Sequence, residues 1–360
     1  MPILTIITSK AISLKNVGKD IAEVAQEVGV VPRLFKYPPN AYDLSKHTDY
    51  VVICMSASPL LARPYMLLAR ELRKNYDIPT LFYATIEGKP LRKFIRPWML
   101  DHILYVANSN YTKDKLTEAG FPIYDMIYHG VNFKLVESAK SLSSTIRKKI
   151  KQDVGDKVVL GVVSNSHKRK GLEPFLNVCS ELLSRRDDVR VFIITNAQFQ
   201  APKGVSIENL FGKLTHTEVL AFIGAFDYLV IPSLSEGFGL PLVEANALGV
   251  PVIHCNYPPL SEITGNHNLT FPYETVSVED LGDGIDYELH IWNKNDFLST
   301  LEDAIDCIKK RPSEYEDRRS KALEHARKFD IRILYRKLLN ILGIKCEPVK
   351  NPLRGKEAEG

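Results

Sequence analysis

The sequence predicts an α/β protein made of two doubly wound parallel-sheet domains, and three observations carry that expectation. Short β-rich apolar runs alternate with helix-period segments along most of the chain, which is the pattern of βαβ units. The length, 360 residues, accommodates two domains of ordinary size. Many of the apolar runs end in small polar residues, as in Thr8-Ser9, Ser56-Ala57-Ser58, Asn108-Ser109, Ser164-Asn165 and Pro232-Ser233. In open α/β sheets ligands bind beyond the carboxyl ends of the strands, so these termini are expected to face the chemistry.

In chain order, the strand-like runs of the first half are 3–8, 50–55, 80–86, 103–107 and a short 126–128. Those of the second half are 158–163, 189–195, 228–231, 252–255 and 269–272. Between them, Val17, Ile21, Val24, Ala25 and Val28 follow a 3/4 spacing, as do Leu172, Phe175, Leu176, Cys179, Leu182 and Leu183, so both stripes are expected to face a core. Residues 134–157 are polar and charged, with Ser141, Ser143, Ser144 and Arg147-Lys148-Lys149, and the interdomain connection is placed there. After residue 296 come three helical segments without strands, 297–310, 313–329 and 331–343, and then a Pro/Gly/charged tail. The expected domains are 1–135 and 136–320, followed by helix at 321–345 and a disordered tail at 346–360.

Composition narrows the class. With 45% hydrophobic and 25% charged residues the chain matches an ordinary globular protein and excludes disordered, collagenous and coiled-coil classes. The apolar runs fall far short of the roughly 20 residues of a membrane helix. Met1-Pro2-Ile3-Leu4-Thr5 leads straight into a strand, without a basic n-region, so a cytoplasmic location is expected. Five cysteines, Cys54, Cys179, Cys255, Cys307 and Cys346, are odd in number and scattered, as free thiols of a reducing compartment are. No CxxC, His/Cys cluster or Asp-x-Asp pair indicates a metal. Residues 1–150 carry 21 Lys/Arg against 13 Asp/Glu, a net +8, whereas 151–360 carry 26 against 30, a net −4. The two halves are expected to meet different partners.

The most informative stretch runs from Tyr228 to Pro251. A strand ends at Ile231, a Gly-rich loop follows, Pro241 suits the first helical turn, and Gly249 and Pro251 close the helix. Gly237 and Gly239 permit close backbone approach, and free amides at a helix N-terminus favour an anion such as a diphosphate. Glu244 falls about one turn into the helix, where it suits a ribose hydroxyl pair, while Glu236 stays on the loop. As a dinucleotide fingerprint, Gly237-x-Gly239-x-x-Leu242 fails for want of a third glycine. In isolation the plainer reading is a tight turn with two solvated glutamates. Likewise Asn165-Ser-His-Lys168-Arg169-Lys170-Gly171, beyond the strand at 158–163, suits neutralisation of a departing diphosphate, or is simply a solvated basic loop.

Glu236 and Glu244, in an EGFGLPxxE context, resemble the Glu-x7-Glu motif of the retaining glycosyltransferases of GT-B fold, family 4. The resemblance covers nearly all of the second half and extends more faintly over the first. It implies two Rossmann-like domains facing a cleft, an acceptor-binding one first and a nucleotide-sugar-binding one second, with C-terminal helices crossing back to the first. In that family the first glutamate and the loop amides of Gly237, Phe238, Gly239 and Leu240 address the donor sugar, and the second glutamate holds the ribose. The basic loop matches an Arg-x4-Lys pair at the diphosphate. Lys170 matches the lysine, but Asn165 stands at the arginine position, so either Arg169 or Lys168 supplies the missing charge or the departing group is held less tightly than is usual in the family. Phe211-Gly212-Lys213-Leu214-Thr215-His216 resembles the segment whose backbone meets the base. His216 and His254 are expected to be surface or capping residues, and Glu262 structural.

In the first half, Asn108-Ser-Asn-Tyr-Thr-Lys and Tyr128-His129-Gly130-Val131-Asn132 resemble the closing segment of the acceptor domain, with His129 a turn residue. Where relatives often carry a histidine after the third strand, this chain has Thr85-Ile86-Glu87-Gly88, which makes Glu87 an acceptor-side candidate beside the plainer reading of a loop glutamate. The first βα loop, Ser9–Gly18, lacks paired glycines. The resemblance thus implies metal-independent, retaining transfer of a hexosyl group from a UDP- or GDP-linked sugar to a saccharide or lipid-linked saccharide, with Glu236, Lys170 and Glu87 at the chemistry. A glycoside hydrolase also uses two carboxylates but has no use for an anion-binding helix terminus. A degenerate module that only binds a nucleotide sugar or glycan is the other alternative, favoured by Asn165 and by the missing histidine after the strand at 80–86. Residues 89–100 interleave Lys89, Arg92, Lys93 and Arg96 with large apolar residues, and are a candidate for peripheral contact with an anionic membrane at its inner face; the plainer alternative is a helix packed on the domain. No motif points to nucleic acid.

Overall fold

The computed structural model describes residues 1–347 of the chain. The expected tail from residue 348 onward lies outside the described residues. The first domain runs β1 (Ile3–Thr8), α1 (Ile12–Glu27), β2 (Val31–Phe35), α2 (Ala41–Ser45), β3 (Tyr50–Ser56), α3 (Arg63–Asn75), β4 (Thr80–Thr85), β5 (Gly88–Pro90), β6 (Leu104–Ala107), α4 (Asn110–Glu118) and β7 (Ile123–Met126). Its parallel sheet has the order β2-β1-β3-β4-β6-β7. Central strands read as continuous apolar runs because helices cover both faces: every residue of β4 is buried. Along α1 the expected stripe of Val17, Ile21, Val24 and Ala25 faces the core.

A 22-residue helix, α5 (Phe133–Val154), follows where a polar connection was expected. Asn132 caps it, accepting from the amides of Lys134 and Leu135. Its serines mislead as linker composition, because the buried positions Val136, Ala139, Ser143 and Ile150 recur at helical spacing. Arg147 then fastens the helix to the second domain, donating to the Ala225 carbonyl at 2.9 Å and pairing with buried Asp227 at 2.5 Å.

The second domain runs β8 (Val158–Val163), α6 (Leu172–Arg185), β9 (Val189–Ile194), β10 (Val205–Glu208), α7 (His216–Ala225), β11 (Tyr228–Ile231), α8 (Leu240–Ala247), β12 (Val252–Cys255), α9 (Leu260–Ile263) and β13 (Leu269–Phe271). These strands form a second parallel sheet, β10-β9-β8-β11-β12-β13. Helices α10 (Lys294–Lys310) and α11 (Pro312–Ala326) follow, and α12 (Ile331–Ile341) returns to the first domain against α1. Two backbone bonds fix that return, Val131 N–H to the Phe329 carbonyl at 2.7 Å and Ile331 N–H to the Val131 carbonyl at 3.2 Å. Buried Tyr335 accepts from the Gly130 amide at 3.1 Å.

Several elements differ from the sequence expectations. The last strand of the first sheet lies at Ile123–Met126, upstream of the expected 126–128. The edge strands β2 and β10 were not expected; edge strands have weaker apolar signatures, and β2 carries no fully buried residue. The largest difference is an antiparallel hairpin, β14 (Tyr273–Asp280) and β15 (Ile285–Trp292), which continues onto β5 of the first domain. Strict alternation in Ile285, Tyr287 and Leu289, beyond the Gly282-Asp283-Gly284 turn, is the signal that could have revealed it. Tyr287 pairs with Gly88 and Ile285 with Pro90, and the Leu91 amide donates to the Gly284 carbonyl at 3.0 Å. Only glycine fits at 88, because a Cβ there would lie 2.0 Å from the Asp286 carbonyl oxygen. The hairpin is thus a strap between the two domains, and Glu288 strengthens it by binding Lys115 at 2.7 Å and Tyr111 at 3.0 Å.

The strap also corrects residues 89–100, which form no amphipathic helix. They enter β5 and two 3-10 turns, Arg92–Phe94 and Pro97–Leu100. Lys89 faces Glu118 at 3.6 Å and Lys93 faces Asp280 at 3.4 Å, while Arg92 and Arg96 donate to main-chain carbonyls.

Candidate active site

The carboxyl ends of the two sheets face each other, and the loops beyond β4, β8 and β11 meet between them. Pro232–Gly239 leads into α8, where Gly239 adopts φ +98°, a left-handed conformation that glycine takes without strain. Gly237 is pressed against the first domain: its carbonyl accepts from Asn108 Nδ2 at 3.2 Å, and an added Cβ would lie 2.5 Å from Thr85 Oγ1. Ser235 Oγ donates to the Glu87 carbonyl at 2.7 Å, so the acidic loop is stitched to the end of β4. From the other side, the Arg169 carbonyl accepts the Leu234 amide at 2.7 Å. The strap holds the same loop, with the His290 amide bonded to the Leu234 carbonyl and Trp292 Nε1 to the Pro232 carbonyl.

These bonds bring four charged side chains from three loops into one cluster. Lys170 Nζ lies 2.5 Å from Glu236 Oε1, Arg169 Nη1 lies 3.5 Å from Glu236 Oε2, and Arg169 Nη2 lies 3.2 Å from Glu87 Oε1. None of the four side chains is more than 18% exposed. Burial opposes ionisation of Glu236, but Lys170 and Arg169 outweigh it and hold its carboxyl below the ordinary range. Burial and then the Arg169 charge hold Lys170 below the usual lysine value. Two cations thus crowd a space where negative charge is welcome.

Of the two candidates for the missing arginine, Arg169 enters the cluster and Lys168 turns outward to Glu279 at 2.6 Å. Asn165 is spent locally, its Oδ1 accepting from the His167 amide at 3.1 Å as an Asx turn. Phe238 points its ring into an aromatic cluster with Tyr128, His129 and Phe329, leaving only its backbone for a ligand. Leu240 opens α8. Glu244 lies further along α8 and is buried. Gly212 sits near Ile12 of the first domain, and Lys213 folds back onto the Asn209 carbonyl at 2.7 Å. Among the described residues no group of three or more His, Cys, Asp or Glu is arranged to hold a metal ion.

A family model for glycosyl transferases group 1 matches residues 143–300. Over 345 residues the chain is 30% identical to the uncharacterized glycosyltransferase 335 of Sulfolobus islandicus rod-shaped virus 1, a match spanning 93% of this chain and 98% of the viral one. The chain belongs to the group 1 glycosyltransferases. Its backbone is similar to that of a glycosyltransferase from Rickettsia africae, with TM-score 0.70 and 15% identity over 95% of this chain and 98% of the other. It is similar too to the Anabaena protein HepE solved with UDP, with TM-score 0.67 and 14% identity over 95% and 100%. At such identities the likeness speaks for the fold, the two-domain GT-B architecture.

Two histidines of the glycosyltransferase depart from the sequence reading. His254, expected to be a surface or capping residue, is fully buried between the Cys255 carbonyl and Thr264 Oγ1, and burial pushes its pKa down to about 4. His216, also expected to be a surface or capping residue, is the first residue of α7 and lies with its Nε2 2.7 Å from Glu244 Oε1. Nothing in its local sequence revealed this, because α7 and α8 are brought together only by packing. His129 is buried at the edge of Tyr83 and Phe238, with burial pushing its pKa down to about 3. Glu262 accepts from the Asn110 amide at 3.2 Å across the domain boundary.

Proposed function

We propose that this glycosyltransferase moves a hexosyl group from a UDP- or GDP-linked sugar to an acceptor hydroxyl, with retention and without a metal ion. The observation that carries the reading is the Lys170–Glu236–Arg169–Glu87 cluster at the meeting point of both domains. Lys170 and Arg169, with the amides before α8, stabilise the negative charge that grows on the leaving diphosphate. Glu236 orients the sugar and stabilises its developing positive charge. Glu244 takes the ribose hydroxyls, the backbone at Gly212 and Lys213 meets the base, and Glu87 lies on the acceptor side. The HepE structures with UDP and with UDP-glucose support a nucleotide-sugar donor.

A thermal-shift screen of UDP- and GDP-sugars identifies the donor, since a ligand of the folded state alone raises apparent stability. The anomeric configuration of the product, read by NMR, then tests the mechanism, and an inverted product overturns retention. One observation favours a binding module instead: Asn165 stands where a cation would, and is spent on a turn. Stabilisation by a donor without any turnover would establish that second reading.

For the acceptor, the proposal is a saccharide or lipid-linked saccharide, with the protein peripheral at a membrane through residues 89–100. Arg92 and Arg96, which bond carbonyls rather than carboxylates, are the groups that support it. Flotation with anionic vesicles should be salt-sensitive and weaken when both become Gln. Equal flotation of variant and wild type removes the membrane role.

A further inference from the structure

The reaction as proposed leaves unused one buried acid–base cluster, which lies beside Glu244. His216 is the first residue of α7, and its pair with Glu244 is enclosed, at 14% and 10% exposure. Asp20, on α1 of the first domain, is buried close by, and its Oδ1 accepts from Asn132 Nδ2 at 3.0 Å. The ionisable groups facing the imidazole are Glu244 from α8 and Asp20 and Lys19 from α1; Asp20 also faces Glu23 of its own helix and buried Tyr335 of α12, which faces Glu244 as well. Two ionisable side chains, His216 of the same domain and Asp20 of the other, therefore gather at the glutamate assigned to the ribose. Among the described residues, hydrogen bonds engage Oε1 of Glu244 and leave Oε2 free.

We propose that His216 is the positioning residue for Glu244, holding Oε1 so that Oε2 faces the ribose hydroxyls, with Asp20 of the other domain setting the charge of that grip. The inference rests on the assignment of Glu244 to the ribose. A buried carboxylate without a partner is costly, and a long side chain ordered before the ligand arrives loses less freedom on binding. Burial opposes a charged ring, yet the Glu244 carboxylate, with Asp20 behind it, holds His216 above the usual histidine range. Burial pushes Asp20 up to about 7. Raising the pH through neutrality ionises Asp20, which adds a like charge beside Glu244, and sufficiently high pH discharges the ring, which weakens its holder. Nucleotide affinity should fall on the alkaline side.

The test is calorimetric titration of the full chain with free UDP and free GDP between pH 6 and 9, for wild type, Glu244→Gln, His216→Gln and Asp20→Asn. Melting curves without nucleotide report folding separately. Glu244→Gln should weaken the nucleotide that binds. His216→Gln keeps a donor but no charge; it should weaken binding about tenfold at pH 6.5 relative to wild type, with the difference shrinking toward pH 9. Asp20→Asn should remove the break near neutrality. If Glu244→Gln weakens binding while His216→Gln matches wild type, or differs by the same factor at every pH, the positioning role is overturned and the ribose assignment stands. If Glu244→Gln binds as wild type, both fall. Should His216→Gln not fold, Asp20→Asn decides, and a pH profile identical to wild type overturns the inference.

Discussion

Replacing Lys170 by Met separates the electrostatic reading of the cluster from a purely structural one. The substitution keeps most of the stem and removes Nζ, leaving Glu236 and Glu87 to share Arg169, so the cluster changes from neutral to one net negative charge. At 2.5 Å and an effective dielectric of about 20, the lost attraction is about 7 kcal/mol before desolvation is counted. Desolvation of the ammonium offsets part of it, and removing one partner of a buried pair typically costs about 3–5 kcal/mol of stability. Catalysis should suffer separately. A positive group aimed at a growing charge is worth on the order of 10²–10³ in turnover. The double variant Lys170→Met/Glu236→Gln should recover most of the stability, because no unpaired charge remains, and none of the turnover. Urea unfolding midpoints and release of nucleotide diphosphate at saturating donor read the two effects. Full turnover in Lys170→Met, or recovery of turnover in the double variant, would refute the assignment; equal stability of all three would refute the electrostatics.

Other expectations follow from single contacts. Glu244→Ala should weaken free nucleotide diphosphate and donor alike by about 1.5–3 kcal/mol, the range of a charge-assisted hydrogen-bonded pair, and calorimetry showing unchanged affinity in a folded variant excludes the ribose role. Acid should destabilise the fold well above the carboxylate range. His129, His254 and His267 are buried and neutral, at about 3, 4 and 4, whereas the unfolded chain protonates each near 6.5, so stability present above that pH is lost as pH falls. Each costs about 2 kcal/mol at pH 5. Asp20, raised to about 7, acts oppositely by binding a proton that the unfolded chain releases, so these four groups together contribute a loss of about 3 kcal/mol between pH 7 and 5. A denaturation midpoint that does not move over that interval contradicts this. Gly88→Val should unseat β5 from the strap, because its Cβ collides with the Asp286 carbonyl, and hydrogen exchange at the Leu91 amide, bonded to Gly284, should accelerate; unchanged protection there would disprove the interdomain pairing.

The sequence by itself determined the two parallel sheets, because a strand covered on both faces must be apolar throughout and so announces itself, as Val51–Met55 and Val158–Val162 do. It also determined the loop-to-helix turn around Glu236 and Glu244, where Gly239, Pro241 and Gly249 each have a local conformational reason to be what they are. It did not determine α5, whose serines and lysines belong to the outer face of a helix, nor the strap, whose alternation is legible but whose partner, Gly88–Pro90, lies nearly two hundred residues away. Charge pairing was beyond it as well. The choice of Arg169 over Lys168 turns on which way two adjacent side chains point within the 3-10 turn Lys168–Lys170, and the meeting of His216, Glu244 and Asp20 depends on three helices from two domains. Periodicity records which side of an element is buried; only packing decides what it is buried against.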